Sequence, residues 1–272
     1  MKTNIFYKIL VTIIAMSFIT SPVNSMTLPQ SITEEVVTYI SDGVTLKGII
    51  AYDKNLKGKR PAVIVVHEWW GLNDYAKMRA HKLAELGYIA MAADMFGDGK
   101  TAADPKEAQT LAMPFYQNPG LAKSRLDAAI NKIKEFSQTD PNNIASIGYC
   151  FGGFIVLNSA KLGADLKGVV SFHGGLTGAP VKKELLKAAI LVCHGGNDNF
   201  VPMDDYNSLR NNLDSIGAHN TFKIYPGATH AFTNPDATEN GKKFNMPIEY
   251  NEKADIDSWN DMKVFLIRIF KN

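Results

Sequence analysis

The sequence predicts an α/β domain whose sheet is mostly parallel, doubly wound and opened by an antiparallel hairpin. Three observations carry this. Apolar runs such as Pro61-Ala62-Val63-Ile64-Val65-Val66 and Ala189-Ile190-Leu191-Val192-Cys193 are continuous rather than alternating, the mark of strands buried on both faces. From residue 61 onward such runs take turns with stretches of helical period, which calls for parallel strands joined by right-handed crossovers. Near the start, Glu35 to Tyr39 and Thr45 to Tyr52 alternate instead around Ser41-Asp42-Gly43, the pattern of a hairpin.

The chain opens on a leader. Lys2 and Lys8 give a positive start, Ile9 to Ile19 an apolar run, and Val23-Asn24-Ser25 a small-residue exit, so residues 1–25 read as a secretory signal and 26–272 as one domain of an exported, periplasmic or secreted protein. The apolar run is too short for a membrane span; an uncleaved apolar anchor is the alternative. The 272 residues carry 29 Lys and Arg against 27 Asp and Glu. Cleavage before Met26 removes two lysines and no acid, so the mature charge is balanced and points to neither nucleic acid nor an anionic membrane as partner. With 46% hydrophobic and 21% charged residues, the composition suits one large globular core.

After the hairpin and the polar loop Lys54 to Arg60, the strand Pro61 to Val66 leads to a helix from about Asp74 to Leu86 and a strand Tyr88 to Ala93. Helices follow near Pro105 to Tyr116 and Leu121 to Phe136, then a strand Ile144 to Ile147 and a helix-like stretch Phe154 to Leu162. Strands at Gly168 to Phe172, Ala189 to Cys193 and Thr221 to Tyr225, a helix from about Met203 to Ile216, and an amphipathic helix Ile256 to Phe270 complete the pattern. Residues 95–120 should overhang the strand ends, and Pro105, Pro114 and Pro119 predict that they are broken into short pieces.

In such a sheet ligands bind beyond the carboxyl ends of the strands. The chemically notable residues fall there: His67-Glu68, Asp94, Cys150, His173, His194, Asp198 and His230. The centre is Gly148-Tyr149-Cys150-Phe151-Gly152-Gly153. A Gly-x-nucleophile-x-Gly turn between strand and helix strains the central residue into an exposed position, and the glycines admit neighbouring backbone without a Cβ clash.

A free thiol near neutral pH is mostly protonated, so a nucleophilic Cys150 needs a base or a stabilised thiolate. A helix start directly after it favours thiolate. His230 would take the proton, and Asp198 would fix the imidazole's tautomer; nucleophile, acid and histidine come in the chain order of the strand-turn-helix hydrolases. Each residue keeps a bland alternative: a buried cysteine in a glycine-rich turn, a turn-forming aspartate in Gly195-Gly196-Asn197-Asp198, a structural histidine after Tyr225-Pro226-Gly227-Ala228-Thr229.

Glu68 ends a fully apolar strand and precedes Trp69-Trp70-Gly71. Partial burial would raise its carboxyl pKa and let it trade a proton with the thiol; a solvated loop glutamate is the alternative. Backbone N–H groups of Trp69 and Phe151 are the expected oxyanion hole, while the tryptophan rings either wall the pocket or pack the core. Four histidines on one rim raise the question of a metal, but no HxH or HExxH spacing appears, so no metal is expected. Cys193, inside a buried strand, reads as a small core hydrophobe rather than a disulfide partner.

Together, His67-Glu68-Trp69-Trp70-Gly71-Leu72, the cysteine turn, His194-Gly195-Gly196-Asn197-Asp198 and Thr229-His230-Ala231-Phe232 resemble the dienelactone hydrolase family over roughly residues 35 to 270. The resemblance implies the α/β-hydrolase fold, a Cys150-His230-Asp198 triad assisted by Glu68, an acyl-enzyme on an ester or lactone carbonyl, and no metal or organic cofactor. The substrate pocket is expected to include Trp70, Phe96, Lys100, Phe232 and Asn234. Members acting on dienelactone hold its carboxylate with two arginines, and the matching stretches here, Asp94-Met95-Phe96-Gly97-Asp98 and His230-Ala231-Phe232-Thr233-Asn234, contain neither. Without a bidentate clamp, and with Asp98 repelling an anion, a neutral or differently held ester, lactone or thioester is expected. A thioesterase or acyltransferase using the same thiol, and a non-catalytic binding protein that kept the pocket, are the rival readings.

Overall fold

The computed structural model describes residues 31–271, so the leader expected over residues 1–25 lies outside the described residues. Strands β1 (Ile32–Ser41) and β2 (Val44–Asp53) form the opening hairpin. Its turn residues Asp42 and Gly43 both have positive φ, 50° and 74°, the turn geometry that matches the twist of the flanking strands. There follow β3 (Arg60–Val66), α1 (Asp74–Glu85), β4 (Ile89–Ala93), α2 (Pro105–Gln117), α3 (Pro119–Lys134), β5 (Thr139–Tyr149), α4 (Phe151–Lys161), β6 (Gly168–Phe172), β7 (Ala189–Gly195), α5 (Met203–Ser215), β8 (Asn220–Tyr225), α6 (Ala237–Phe244) and α7 (Glu252–Lys271).

One sheet takes up the eight strands in the order β1-β2-β4-β3-β5-β6-β7-β8. The hairpin joins β4 antiparallel, and every pair from β4 to β8 is parallel. The continuous apolar runs are explained by covering on both faces. In β3, Ala62, Ile64 and Val66 point to a core shared with α2, α3, α4 and α5, while Val63 and Val65 point to a second core under α1 and α7. No helix among the described residues is long and apolar enough to cross a membrane.

Two of the three prolines of residues 95–120 begin helices, and the third does not break one. Pro105 and Pro119 occupy first-turn positions behind the caps Asp104 and Asn118, whose side chains accept the N–H groups of Glu107 and Gly120, a place where proline's missing donor costs nothing. Pro114 lies inside α2 without ending it. Two boundaries differ from expectation, β5 running from Thr139 to Tyr149 and α7 starting at Glu252, and α6 is an additional helix. That last helix has only eight residues and buries only Ala237 and Gly241, too short and too poor in apolar residues to stand out in the sequence.

The chain reverses its direction of travel across the sheet at β3, running outward to β4 and returning to β5 on the other side. A crevice therefore opens beyond the carboxyl ends of β3 and β5. Val66 pairs with Gly148, so Glu68 and Cys150 stand two residues past matched positions on adjacent strands. Beside them, the buried Asp94 secures the loop after β4. Its Oδ1 accepts the N–H groups of Phe96 and Gly97, both at 2.9 Å, and its Oδ2 those of Lys47 at 3.0 Å and Gly99 at 2.8 Å. Asp94→Ala leaves four donors unmet and should cost at least about 3 kcal/mol in urea denaturation; a loss under about 1 kcal/mol would show that the loop is held by other contacts.

Candidate active site

The last residue of β5 and the first of α4 are separated by Cys150 alone, at φ 53° and ψ −112°. A side-chain-bearing residue enters this region only at a cost of roughly 1–3 kcal/mol, and its surroundings must hold it there. They do so through close backbone contact. A Cβ on Gly148 would lie 2.0 Å from Gly152 O, one on Gly152 2.2 Å from Val66 O, and one on Gly153 2.7 Å from Gly174 Cα. The three glycines let β5, α4 and the ends of β3 and β6 converge beneath the thiol.

The Cys150 N–H donates to Phe172 O at 3.0 Å and to His173 Nδ1 at 3.1 Å. His173 is therefore an acceptor at Nδ1 and carries its proton on Nε2, which donates to Thr233 Oγ1 at 2.7 Å. Burial, first of all, holds its pKa well below the ordinary histidine value, so it stays neutral. Thr233 Oγ1 also meets Tyr75 OH at 2.6 Å. The sequence placed His173 on the rim without a role, and nothing in its spacing signals this bond.

His230 lies five residues past β8, with Nδ1 at 2.9 Å from Asp198 Oδ2. Its Nδ1–H points to the acid, and Nε2 is left for the cysteine side. Burial alone would lower the His230 pKa, but the charge of the Cys150 sulfur and the bond to Asp198 outweigh it and hold the imidazole well above its ordinary value. The other oxygen of Asp198 accepts the N–H groups of Phe200 at 2.9 Å and Val201 at 3.2 Å.

Glu68 is 2% exposed. Asn234 Nδ2 donates to its Oε2 at 2.6 Å, and its Oε1 has no partner. Desolvation raises its pKa to about 7, against the smaller opposing effects of the Asn234 bond and the positive charges of His230 and Arg79. His67 fixes the preceding turn: its Nδ1 meets Glu68 O at 2.5 Å, its Nε2 accepts the Met95 N–H at 3.3 Å, and burial lowers its pKa to about 4. Among the described residues, the N–H groups of Trp69 and Phe151 meet no protein acceptor.

One short segment connects these parts. His230 binds Asp198, Thr233 binds His173, and Asn234 binds Glu68. The buried Arg79 anchors the segment from below, with Nη2 at 2.6 Å from both Thr233 O and Asp255 Oδ1. Desolvated charge on Arg79 is thus paired and hydrogen-bonded, the condition for burying it.

Glu68, Cys150 and His230 share a cavity of about 340 Å³. Its walls are mostly apolar: Trp69 and Trp70, Met113 and Tyr116 of α2, Phe200, and Ile248. Of the five residues expected to line the pocket, only Trp70 does. Phe96 packs against His67, Phe115 and Phe151, and Phe232 against His173 and Tyr225, both in the interior. Lys100 is exposed and outside the walls, and Asn234 is buried behind Glu68. Cys193 is free and buried beneath Tyr225 in β7.

Known proteins resemble this chain in sequence and fold. The profile of the dienelactone hydrolase family matches residues 46–270. A protein of Aquifex aeolicus provisionally assigned as a carboxymethylenebutenolidase is 29% identical over 205 residues, 74% of this chain and 87% of that protein. The crystal structure of a dienelactone hydrolase-like promiscuous phosphotriesterase from metagenomic libraries is 30% identical with a TM-score of 0.83, covering 88% of this chain and 99% of that one. Another solved structure, a dienelactone hydrolase-type protein from Klebsiella pneumoniae at 24% identity and a TM-score of 0.73, supports the fold alone.

The raised Glu68 pKa makes a stability prediction. Its folded value, about 7, exceeds its ordinary value of 4.5, so between these pH values the folded chain binds more protons than the unfolded one and loses stability as pH rises. Glu68→Gln removes that titration and retains an acceptor for Asn234. The variant should therefore gain on the wild type by on the order of 2 kcal/mol between pH 5 and pH 8 in denaturant titrations. Parallel stability profiles for the two proteins would contradict the assignment.

Proposed function

The chain belongs to the dienelactone hydrolase family, and from that premise we propose that it hydrolyses an uncharged carboxylic ester or lactone with Cys150 as nucleophile, through a thioester acyl-enzyme. The observation that carries this reading is the strained, partly exposed Cys150 in one cavity with His230, itself bonded to Asp198.

In this mechanism the thiol proton passes to His230 Nε2, Asp198 stabilises the imidazolium, and the Sγ thiolate then bonds to the carbonyl carbon. The N–H groups of Phe151 and Trp69 receive the developing oxyanion. Collapse expels the alcohol, which leaves with the proton returned by His230. A water then gives its proton to His230 and attacks the thioester; release of the acid restores the thiol. Glu68, with a pKa raised to about 7, is the group that exchanges a proton with the thiol between turnovers. No metal or organic cofactor enters these steps.

The preference for an uncharged substrate rests on the cavity wall. It contains no lysine or arginine, and its one carboxyl is Glu68. A substrate carboxylate would lose its hydration there without gaining a cation. The neighbour described as a phosphotriesterase supports the same preference, since a phosphotriester carries no charge. The leader-like residues 1–25 support action outside the cytoplasm as a further part of the reading.

The test compares turnover of a neutral aryl acetate with that of a carboxylate-bearing dienelactone. Cys150→Ala and His230→Ala should each lower kcat on the acetate at least about 10³-fold without loss of fold, with a smaller loss for Glu68→Gln. Little turnover of the lactone is expected. Acetate hydrolysis that survives Cys150→Ala would overturn the nucleophile, and efficient lactone turnover would overturn the charge preference.

A further inference from the structure

An aromatic ring at the rim of the cavity has no part in the steps above. Phe200 is 51% exposed, yet it helps to wall the cavity that holds Cys150, and its ring centroid lies 5.1 Å from that of His230. Its position is built rather than incidental. Asp198 gives one oxygen to His230 Nδ1 and the other to the N–H groups of Phe200 and Val201, and the Val201 side chain is buried. The carboxylate that orients the imidazole therefore also fixes the turn that presents the ring.

The chemistry says what meets that ring. For the alcohol to leave, its oxygen must come within hydrogen-bond reach of His230. Of the two rings against the imidazole, His173 is buried and Phe200 faces the cavity, so the group attached to that oxygen emerges beside Phe200. A half-exposed phenyl in a wall without cations favours an apolar, flat partner and offers nothing to a charged one. Tyr116, the other exposed ring of the wall, packs instead on Phe151 and Phe154 of α4, with centroids 5.8 and 4.8 Å apart, and so belongs to the nucleophile's side of the cavity.

We propose that Phe200 is the platform for the alcohol portion of the substrate, and that the preferred substrates are uncharged esters of aromatic or similarly broad apolar alcohols. This rests on the ester-hydrolase reading and adds the half of the substrate that reading leaves open. Phe200 is a specificity-determining residue here; the proton transfers belong to His230.

The experiment uses the full chain and a pair of butanoate esters, benzyl and ethyl, whose alcohols have similar acidity, so that leaving-group chemistry is matched and the contact surface is not. The quantity read is the ratio of kcat/KM for benzyl over ethyl. Phe200→Ala should lower that ratio about 10-fold or more, and Phe200→Tyr should restore most of it. An unchanged ratio in Phe200→Ala overturns the proposal. A second measurement needs no turnover: benzyl alcohol should slow alkylation of Cys150 by iodoacetamide, followed by intact mass, in the wild type and much less in Phe200→Ala. Equal protection in both, or none in the wild type, also counts against the platform. Protection that depends on Phe200 in a chain with no Cys150-dependent ester turnover would instead leave the platform standing and sink the hydrolase reading.

Discussion

Everything at the strand ends depends on the backbone conformation of Cys150. At φ 53° and ψ −112° it lies where only glycine is at ease, and the cost of roughly 1–3 kcal/mol is met by its neighbours. Gly148, Gly152 and Gly153 allow the backbones of β3, β5, β6 and α4 to meet at distances no Cβ would permit. The Cys150 N–H is taken by Phe172 O and His173 Nδ1, and α4 starts at the next residue. A cysteine whose backbone is held in this way lines the cavity from a fixed position, as a proposed nucleophile requires.

The second constraint is the segment from His230 to Asn234. Its residues reach the acid, the buried histidine under the elbow, and the carboxyl of Glu68. Arg79 of α1 and Asp255 of α7 hold it from the face of the sheet that those two helices cover. Movement of this segment would disturb the imidazole and the Glu68 carboxyl together, so their geometry is set by one piece of backbone rather than by separate loops. Asn234 is neutral, and its amide orients Glu68 without supplying a cation. Burial therefore dominates, and the carboxyl titrates near neutrality.

The fold was readable where both faces of the sheet are buried. Continuous apolar runs located β3, β4, β6 and β7, and the cysteine turn located the junction of β5 and α4. The order of strands was not readable in that way, because a buried run says nothing about its neighbours. The rim positions of Glu68, Cys150, Asp198 and His230 followed from strand ends and chain order. Side-chain direction within the loops did not: Phe96 and Phe232 turn into the core, Lys100 outward, and Asn234 behind Glu68, since irregular backbone has no period from which a facing can be inferred. For the same reason the roles of His173, Thr233 and Phe200 follow only from the hydrogen bonds and ring contacts that place them.

Whether Cys150 is the nucleophile can be read from the mass of the protein during turnover. Rapid quench in acid with a slowly hydrolysed aryl ester, followed by peptide mapping, should show the acyl mass on the peptide containing Cys150, at a level that rises and decays with product release. The adduct should form in the wild type and be absent from His230→Ala on the same timescale. An acyl group on another residue, or ester turnover with no covalent adduct on a Cys150 that remains a free thiol, would contradict Cys150 as the nucleophile.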